Sequence, residues 1–167
     1  MKLNFIYLIL IIIILNSEYT QGQKIEIYSD WSLKVSSSDI LDAGMDYPTN
    51  YMSKTGKIKF DITHNKSKER NGYDWSISIQ KSDLFWDNQL KIFARRTSDG
   101  FAYSNASYAH SVDGGEVFQE IEDFNQFFFS GLRGHTDMKI QYKLKGISVL
   151  IPAEKYETEI IYTISAP

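Results

Sequence analysis

Apolar and polar residues alternate along almost the whole chain from residue 23 onward. Because successive side chains of a β-strand point to opposite faces, this alternation predicts strands with one buried face and one face in water, as in antiparallel sheets. Clusters of Gly, Asp, Asn, Ser and Pro separate the alternating segments and are typical of turns. The pattern therefore predicts an all-β, antiparallel β-sandwich. The alternating segments are 24–29, 31–36, 57–64, 75–80, 90–96, 139–146 and 156–164.

The segment 116–130 fits two different structures. Its apolar residues recur with a helical period, namely Val117, Phe118, Ile121, Phe124 and Phe128. The same segment also fits a short strand at 117–121, a polar turn and an apolar strand at 127–130. Flanking glycines and the abundance of Phe favour the two strands, which brings the predicted total to about nine.

The first 22 residues have the composition of a secretory signal peptide. Lys2 supplies a positive charge, and residues 5–15 (FIYLILIIIIL) form an unbroken apolar run. A membrane-spanning helix needs ~20 apolar residues, whereas a signal peptide needs only about 7–15. The small residues Thr20 and Gly22 favour cleavage before Gln23. We expect a helical leader at 1–22, removed on export, and a single domain at 23–167. The alternative is an uncleaved N-terminal anchor.

The chain contains no cysteine, which excludes several classes of protein. A disulfide scaffold, a thiolate zinc site and a cysteine nucleophile all require cysteine. With 167 residues, 43% of them hydrophobic, the chain is long enough to bury a core without disulfides. Lys and Arg number 18 against 21 Asp and Glu, a net charge of −3, so the composition lacks the basic footprint of a nucleic-acid-binding protein.

A short motif occurs twice in the sequence. Asp30-Trp31-Ser32 and Asp74-Trp75-Ser76 each open an alternating segment that is followed by a Ser-Asp pair, at 38–39 and 82–83. The motif predicts a strand with an inward Trp and then a turn capped by Asp. One interpretation is two structurally equivalent strands, one in each sheet. The other is a pair of matching binding sites.

Motifs for catalysis or metal binding are missing from the sequence. It has no Gly-rich nucleotide loop and no nucleophile elbow. Residues 113–116 (DGGE) fit either a calcium loop or a plain turn. Arg95 and Arg96 are expected to pair with carboxylates on a neighbouring strand. We expect no enzyme, no metal and no cofactor. Three histidines lack the spacing of metal ligands: His64, His110 and His135.

Aromatic residues outside the alternation are the candidate ligand-binding residues. Trp86 follows the second Ser-Asp pair, with Asp87 beside it, and Tyr103 and Tyr108 lie in a Ser- and Asn-rich stretch. Exposed rings stack on sugars, and a carboxylate bonds sugar hydroxyls. In the alternative interpretation, Trp86 and Phe85 plug one end of the sandwich.

The C-terminal run 151–164 (IPAEKYETEIIYTI) resembles the closing strand of bacterial exported β-sandwich families. These are fimbrial subunits, coat-protein-U-like domains and WxL-type cell-wall-binding domains. Their ending is similar to P-x-G-x-Y-x-x-x-φ-x-[YW]-T-φ, where φ is aliphatic, and here Glu154 stands where glycine is usual. Trp31-Ser32-Leu33 also reads as W-x-L. The resemblance implies an immunoglobulin-like sandwich at a bacterial cell surface and transfers no catalytic residue.

Two functions are expected from these features. The first is a non-catalytic, secreted or surface-exposed structural or adhesive subunit, whose partners are other surface proteins or further copies of itself. Assembly would use β-strand addition, with residues 23–29 as the donor strand. Against donation, about nine strands already complete a sandwich. The alternative function is a carbohydrate- or cell-wall-binding module. A hydrolase with an unrecognised carboxylate pair is a third and weaker possibility.

Overall fold

The computed structural model describes residues 6–13, 23–40, 42, 44–64, 74–103 and 109–166, and gives only the backbone of 6–13, 23 and 64. Two β-sheets pack face to face, so the predicted all-β sandwich is confirmed. The described ranges contain thirteen strands and one short 3₁₀ turn, Ser37–Asp39. The strands are β1 (Ile6–Ile13), β2 (Gln23–Ile27), β3 (Trp31–Val35), β4 (Tyr51–Met52), β5 (Ile58–His64), β6 (Asp74–Phe85), β7 (Lys91–Ser98), β8 (Phe101–Ala102), β9 (Ser111–Asp113), β10 (Gln119–Glu120), β11 (Gln126–Leu132), β12 (His135–Lys145) and β13 (Lys155–Ser165).

The long strands alternate between the two sheets along the chain. Sheet A has the order β3-β1-β13-β6-β11-β9, and sheet B has the order β10-β7-β12-β5-β2, with β4 and β8 also paired to β12. The chain therefore crosses from one layer to the other after nearly every long strand. The pair β1–β13 is parallel, and the other strand pairs of the described residues are antiparallel.

Alternation places the inward side chains of both sheets in one core. Tyr142 of sheet B and Tyr162 of sheet A meet there, with 2.6 Å between their hydroxyl oxygens. Trp31 stacks on Tyr142 with 6.0 Å between ring centres, and Phe60 contacts Tyr162 edge-on at 4.7 Å. Each such ring buries ~150–250 Å² of surface, which explains how the sandwich forms its core without disulfides.

The N-terminal segment differs from the sequence prediction. Residues Ile6–Ile13 form strand β1 within sheet A, so the structure does not show the expected helix at these residues. Removal of this segment on export stays a prediction. β-branched isoleucines dominate the segment and favour a strand, and its backbone finds partners on both sides. The predicted cleavage point at Thr20 and Gly22 lies outside the described residues. The strand total also exceeds the predicted nine, because β1, β4, β8 and β9 carry no period-two signal.

The ambiguous segment 116–130 contains strands, as the Phe and Gly content favoured. Gln119–Glu120 forms β10 at one edge of sheet B, and Gln126–Leu132 forms β11 in sheet A. The helical alternative is therefore wrong. Phe128 and Phe129 are both buried, because a register shift between Phe127 and Phe129 interrupts the alternation of β11.

The repeated motif marks two strands of the same sheet. Trp31 and Trp75 are both buried, but both lie in sheet A and not one in each sheet. After the first copy, the chain turns as predicted, and the Asp39 carboxylate accepts the N–H of Ser36 at 2.7 Å. After the second copy, strand β6 continues through the Ser-Asp pair to Phe85, so no turn follows there. The strand continues because it pairs with β13 over its whole second half.

Candidate functional site

Trp86 and Asp87 form the tight turn between β6 and β7. The Trp86 Nε1–H donates to the Leu90 carbonyl at 2.8 Å, and the half-buried ring packs against the core. The Asp87 carboxylate accepts the Gln89 N–H at 2.8 Å, and its carbonyl accepts the Leu90 N–H at 3.0 Å. Phe85, half exposed, stacks on Tyr156. These contacts are the ones expected of residues that close one end of the sandwich.

Tyr103 lies at the other end of the sandwich from Trp86. The Tyr103 N–H donates to the Gly134 carbonyl at 2.9 Å, next to the start of β12, whereas the turn of Trp86 precedes Lys91, which pairs with the last residue of β12. The eleven residues of β12 span roughly 30 Å. Tyr108 lies outside the described residues. The structure therefore does not bring Trp86 and Asp87 together with Tyr103.

Two histidines meet near Tyr103. The rings of His110 and His135 contact each other edge-on, with 5.6 Å between their centres, and Trp75 packs against His135 at 6.2 Å. His135 is buried, and its Nδ1 lies 3.0 Å from the Asp99 carbonyl. Among the described residues, its Nε2 and both nitrogens of His110 have no hydrogen-bond partner. Sequence spacing gave no sign of this pair, because β-strand pairing and not a local motif creates it.

The His135 imidazole has a pKa below its usual range. Burial lowers the pKa most, and the neighbouring His110 and the positive charge of Arg96 lower it further. The carbonyls of Leu132 and Ser111 act in the opposite direction. A positive charge on the His135 ring is therefore disfavoured.

Acid is expected to weaken the fold through His135. Because its pKa is lower in the folded state, the unfolded chain binds more protons below pH ~6.5, so the unfolding free energy falls as the pH drops toward the folded-state pKa and then levels off. Urea denaturation between pH 7.5 and pH 5 measures this. In the variant His135→Gln the part of the decline between pH 6.5 and the lowered pKa should disappear. An unchanged profile in that variant would contradict the assignment.

Arg96 lies fully buried at the end of β7, beside a cleft. Its Nε–H donates to the Gly114 carbonyl at 2.9 Å, and its guanidinium pairs with Asp99 and, at 3.2 Å, with Glu116. Both carboxylates lie in flanking loops, so the prediction of partners on a neighbouring strand is wrong. The cleft measures about 430 Å³ and is lined by Thr55, Arg95, Arg96, Thr97, Ser98, Asp99 and Glu116.

In the DGGE turn at 113–116, the Glu116 carboxylate binds the Arg96 guanidinium. Gly114 and Gly115 have φ values of +84° and +74°, which give the loop its tight shape. Because Glu116 pairs with a guanidinium, it is a poor ligand for calcium. Within the described ranges, no group of three or more His, Asp or Glu side chains is placed to bind a metal.

Cations and aromatic rings lie together on the outer face of sheet B, although the sequence alone does not reveal this cluster. Strand register sets Phe93 opposite Lys143 and Arg95 opposite Gln141. Each residue points outward by simple alternation, which the sequence does show. Their proximity depends on the pairing of β7 with β12, which the sequence does not show.

No protein-family model matches the chain, and neither does any curated protein. In the part of the chain that the structure describes, no helix is long and apolar enough to cross a membrane. The run 151–164, on which the resemblance to exported sandwich families rests, forms a turn and then β13. There the Tyr156 hydroxyl donates to the Pro152 carbonyl at 2.8 Å, similar to the tyrosine corner of β-sandwiches.

Proposed function

We propose that this protein is an exported, non-catalytic subunit of a bacterial surface structure and joins its neighbours by β-strand addition. The observation that carries the proposal is the position of β1 inside sheet A, between β3 and β13. The sequence predicts that this same segment is removed on export. Removing it would leave a vacant strand position inside a sheet.

The vacancy would be bordered by β3, which depends on β1 for its pairing, and by β13, which also pairs with β6. β1 pairs in parallel with β13 from Tyr7↔Lys155 to Ile13↔Ile161, and antiparallel with β3 from Ile6↔Val35 to Leu10↔Trp31. Among the described residues, β3 pairs with no other strand. Without β1, both flanking strands would present unpaired N–H and C=O groups, which are a template for a strand from another chain.

The donor strand we favour is residues 23–29 of a neighbouring copy. In the structure, Gln23–Ile27 forms β2 at the edge of sheet B, where its only partner strand in the described ranges is β5. An edge strand loses fewer contacts on release than a central one. Release still exposes Ile25, which is buried, so donation requires that the vacant position in sheet A offers more contacts than the edge of sheet B.

The proposal predicts that the chain 23–167 assembles, whereas the full chain does not. We expect concentration-dependent oligomers in light scattering after size-exclusion chromatography. In dilute monomers, hydrogen exchange should be fast at the amides of β3. A peptide of residues 6–13 flanked by lysines for solubility should slow this exchange, and a version with prolines at alternate positions is the matched control. A monomeric 23–167 with protected β3 amides would overturn the proposal. Assembly after removal of residues 23–29 would reject only that donor.

The alternative function, a carbohydrate- or cell-wall-binding module built on Trp86, has less support. Trp86 and Asp87 are bonded within their own turn, and Tyr103 lies at the other end of the sandwich. Binding of a carbohydrate or of cell walls that weakens in Trp86→Ala but not in Trp86→Phe, with both variants folded, would support this alternative function.

A further inference from the structure

The outer face of sheet B carries a cluster of cations and aromatic rings that we call the Lys143 face. It consists of Phe93 and Arg95 on β7, Phe118 beside β10, and Lys143 and Lys145 on β12. Lys143 and Lys145 are two residues apart on one strand, so they project from the same side ~7 Å apart. Phe93 lies directly opposite Lys143.

The cations of the Lys143 face lie over the rings. The Lys143 Nζ is 4.1 Å from the centre of the Phe118 ring and 4.6 Å from that of Phe93. The Arg95 guanidinium is 4.6 Å from Phe118, and the Lys145 Nζ is 5.4 Å from Phe93. Each ring thus carries two cations. Attraction to the rings fixes where the positive charges sit without neutralising them.

In the part of the chain that the structure describes, no carboxylate pairs with Arg95, Lys143 or Lys145, and the nearest one on this face, Glu120, lies opposite Phe93. Glu120 is itself paired with Lys91 at the border, at 2.8 Å. Burial, together with the charges of Lys145 and Arg95, lowers the pKa of Lys143. Like charges on neighbouring strands destabilise a sheet. A chain with a net charge of −3 nevertheless concentrates them here.

The Arg95 guanidinium is fixed in place by a neutral side chain, Gln141. Its Nε–H and Nη2–H both donate to the Gln141 side-chain oxygen, at 3.0 Å and 2.8 Å. Gln141 is itself buried, and its amide group donates to the Ser53 carbonyl at 2.9 Å. The guanidinium plane is therefore fixed while its charge remains available, and a fixed donor loses less entropy on binding.

We propose that the Lys143 face binds a polyanionic glycan, a sugar polymer carrying carboxylate or sulfate groups. A row of fixed cations on an open sheet face suits an extended polymer with repeated negative charges. Cations already cover the rings, so the rings are not free to stack on the bases of single-stranded nucleic acid. Phe93 and Phe118 are half-buried, so they do not project as membrane-inserting side chains do. This inference is independent of strand addition, because neither β1 nor β2 contributes a residue to the Lys143 face.

The test compares two double variants of equal charge in the full chain. Lys143→Gln/Lys145→Gln removes two cations from the Lys143 face, and the control Lys34→Gln/Lys155→Gln removes two exposed lysines from strands β3 and β13 of sheet A. Binding of heparin, a sulfated probe, and of polygalacturonate, a carboxylate probe, is measured by calorimetry at low salt. We expect the first variant to bind at least one of them about tenfold more weakly than the wild type. The control should bind nearly as well as the wild type.

Three outcomes would overturn the proposal. The first is no binding of either glycan by the wild type, and the second is an equal loss in both double variants. The third is tighter binding of single-stranded DNA or of phosphatidylserine vesicles, which would assign the face to another class of partner. Urea denaturation of Lys143→Gln/Lys145→Gln separates binding from folding, because relief of repulsion should leave its midpoint equal to or above that of the wild type.

Discussion

Replacing Gly146 with alanine is expected to lower the unfolding free energy by about 3–5 kcal/mol. Gly146 follows β12 with a φ of +88°, and a Cβ atom there would lie 1.8 Å from the Gln89 carbonyl oxygen. The clash is with backbone, so it cannot be relieved by rotating a side chain. Relief requires the turn of residues 86–90 to move away from the end of β12, which disturbs the packing of Trp86 and Leu90.

The matched control for this prediction is Gly44→Ala. Gly44 has nearly the same φ, +84°, but no atom lies within 4 Å of the position that a Cβ would take. This variant therefore measures backbone strain alone, which we expect to be about 1 kcal/mol. Urea denaturation of both variants gives the difference due to the clash. Equal losses in the two variants would show that the approach of Gly146 to Gln89 contributes nothing.

Removing the hydroxyl of either Tyr142 or Tyr162 should destabilise the core by about 1–3 kcal/mol. The two hydroxyls bond to each other at 2.6 Å, and both side chains are fully buried. Burial raises the pKa of both hydroxyls, so both remain neutral. In Tyr142→Phe, the Tyr162 hydroxyl keeps its desolvation cost but loses its partner. The same reasoning applies to Tyr162→Phe.

The double variant tests whether the pair behaves as a unit. With both hydroxyls removed, no polar group is left unpaired, so we expect the double variant to lose no more stability than either single variant. A double-mutant cycle in urea measures the coupling, which we expect to equal at least one single loss, about 1–3 kcal/mol. Strictly additive losses would mean that each hydroxyl finds another partner when the first is removed.

Alternation was enough to predict most of the strands. The strands that it did not predict lack a regular two-residue period. All seven alternating segments contain strands, because a two-residue period is a direct consequence of a sheet with one buried face. Strand β12 begins at His135, earlier than predicted, because a register shift between His135 and Met138, with Asp137 at a φ of +55°, interrupts the alternation there. Strand β1 was not predicted, since a continuous apolar run does not distinguish a strand from a leader helix.

The candidate sites were harder to predict, because they depend on strand pairing. The sequence offered Trp86 and Tyr103 as candidates for one ligand-binding module, but the full length of β7 separates them. The Lys143 face is the opposite case, because residues distant in sequence lie side by side in the fold. Its residues are about 50 positions apart in the chain, and only the register of β7 against β12 brings them together. Alternation indicates which way a side chain points, but not which strand lies beside it.

The repeated crossing of the chain between layers has a consequence for how the protein folds. Because β5, β6 and β7, and later β11, β12 and β13, alternate between sheets, neither sheet can be completed from one continuous stretch of chain. Most strand pairs join residues far apart in sequence. The entropy of many loops must therefore be lost before contacts in the core stabilise the chain. Folding should therefore be slow, on the order of milliseconds to seconds, and both layers should form in one cooperative step. Until that step, every strand edge of a newly made chain is open to the wrong partner.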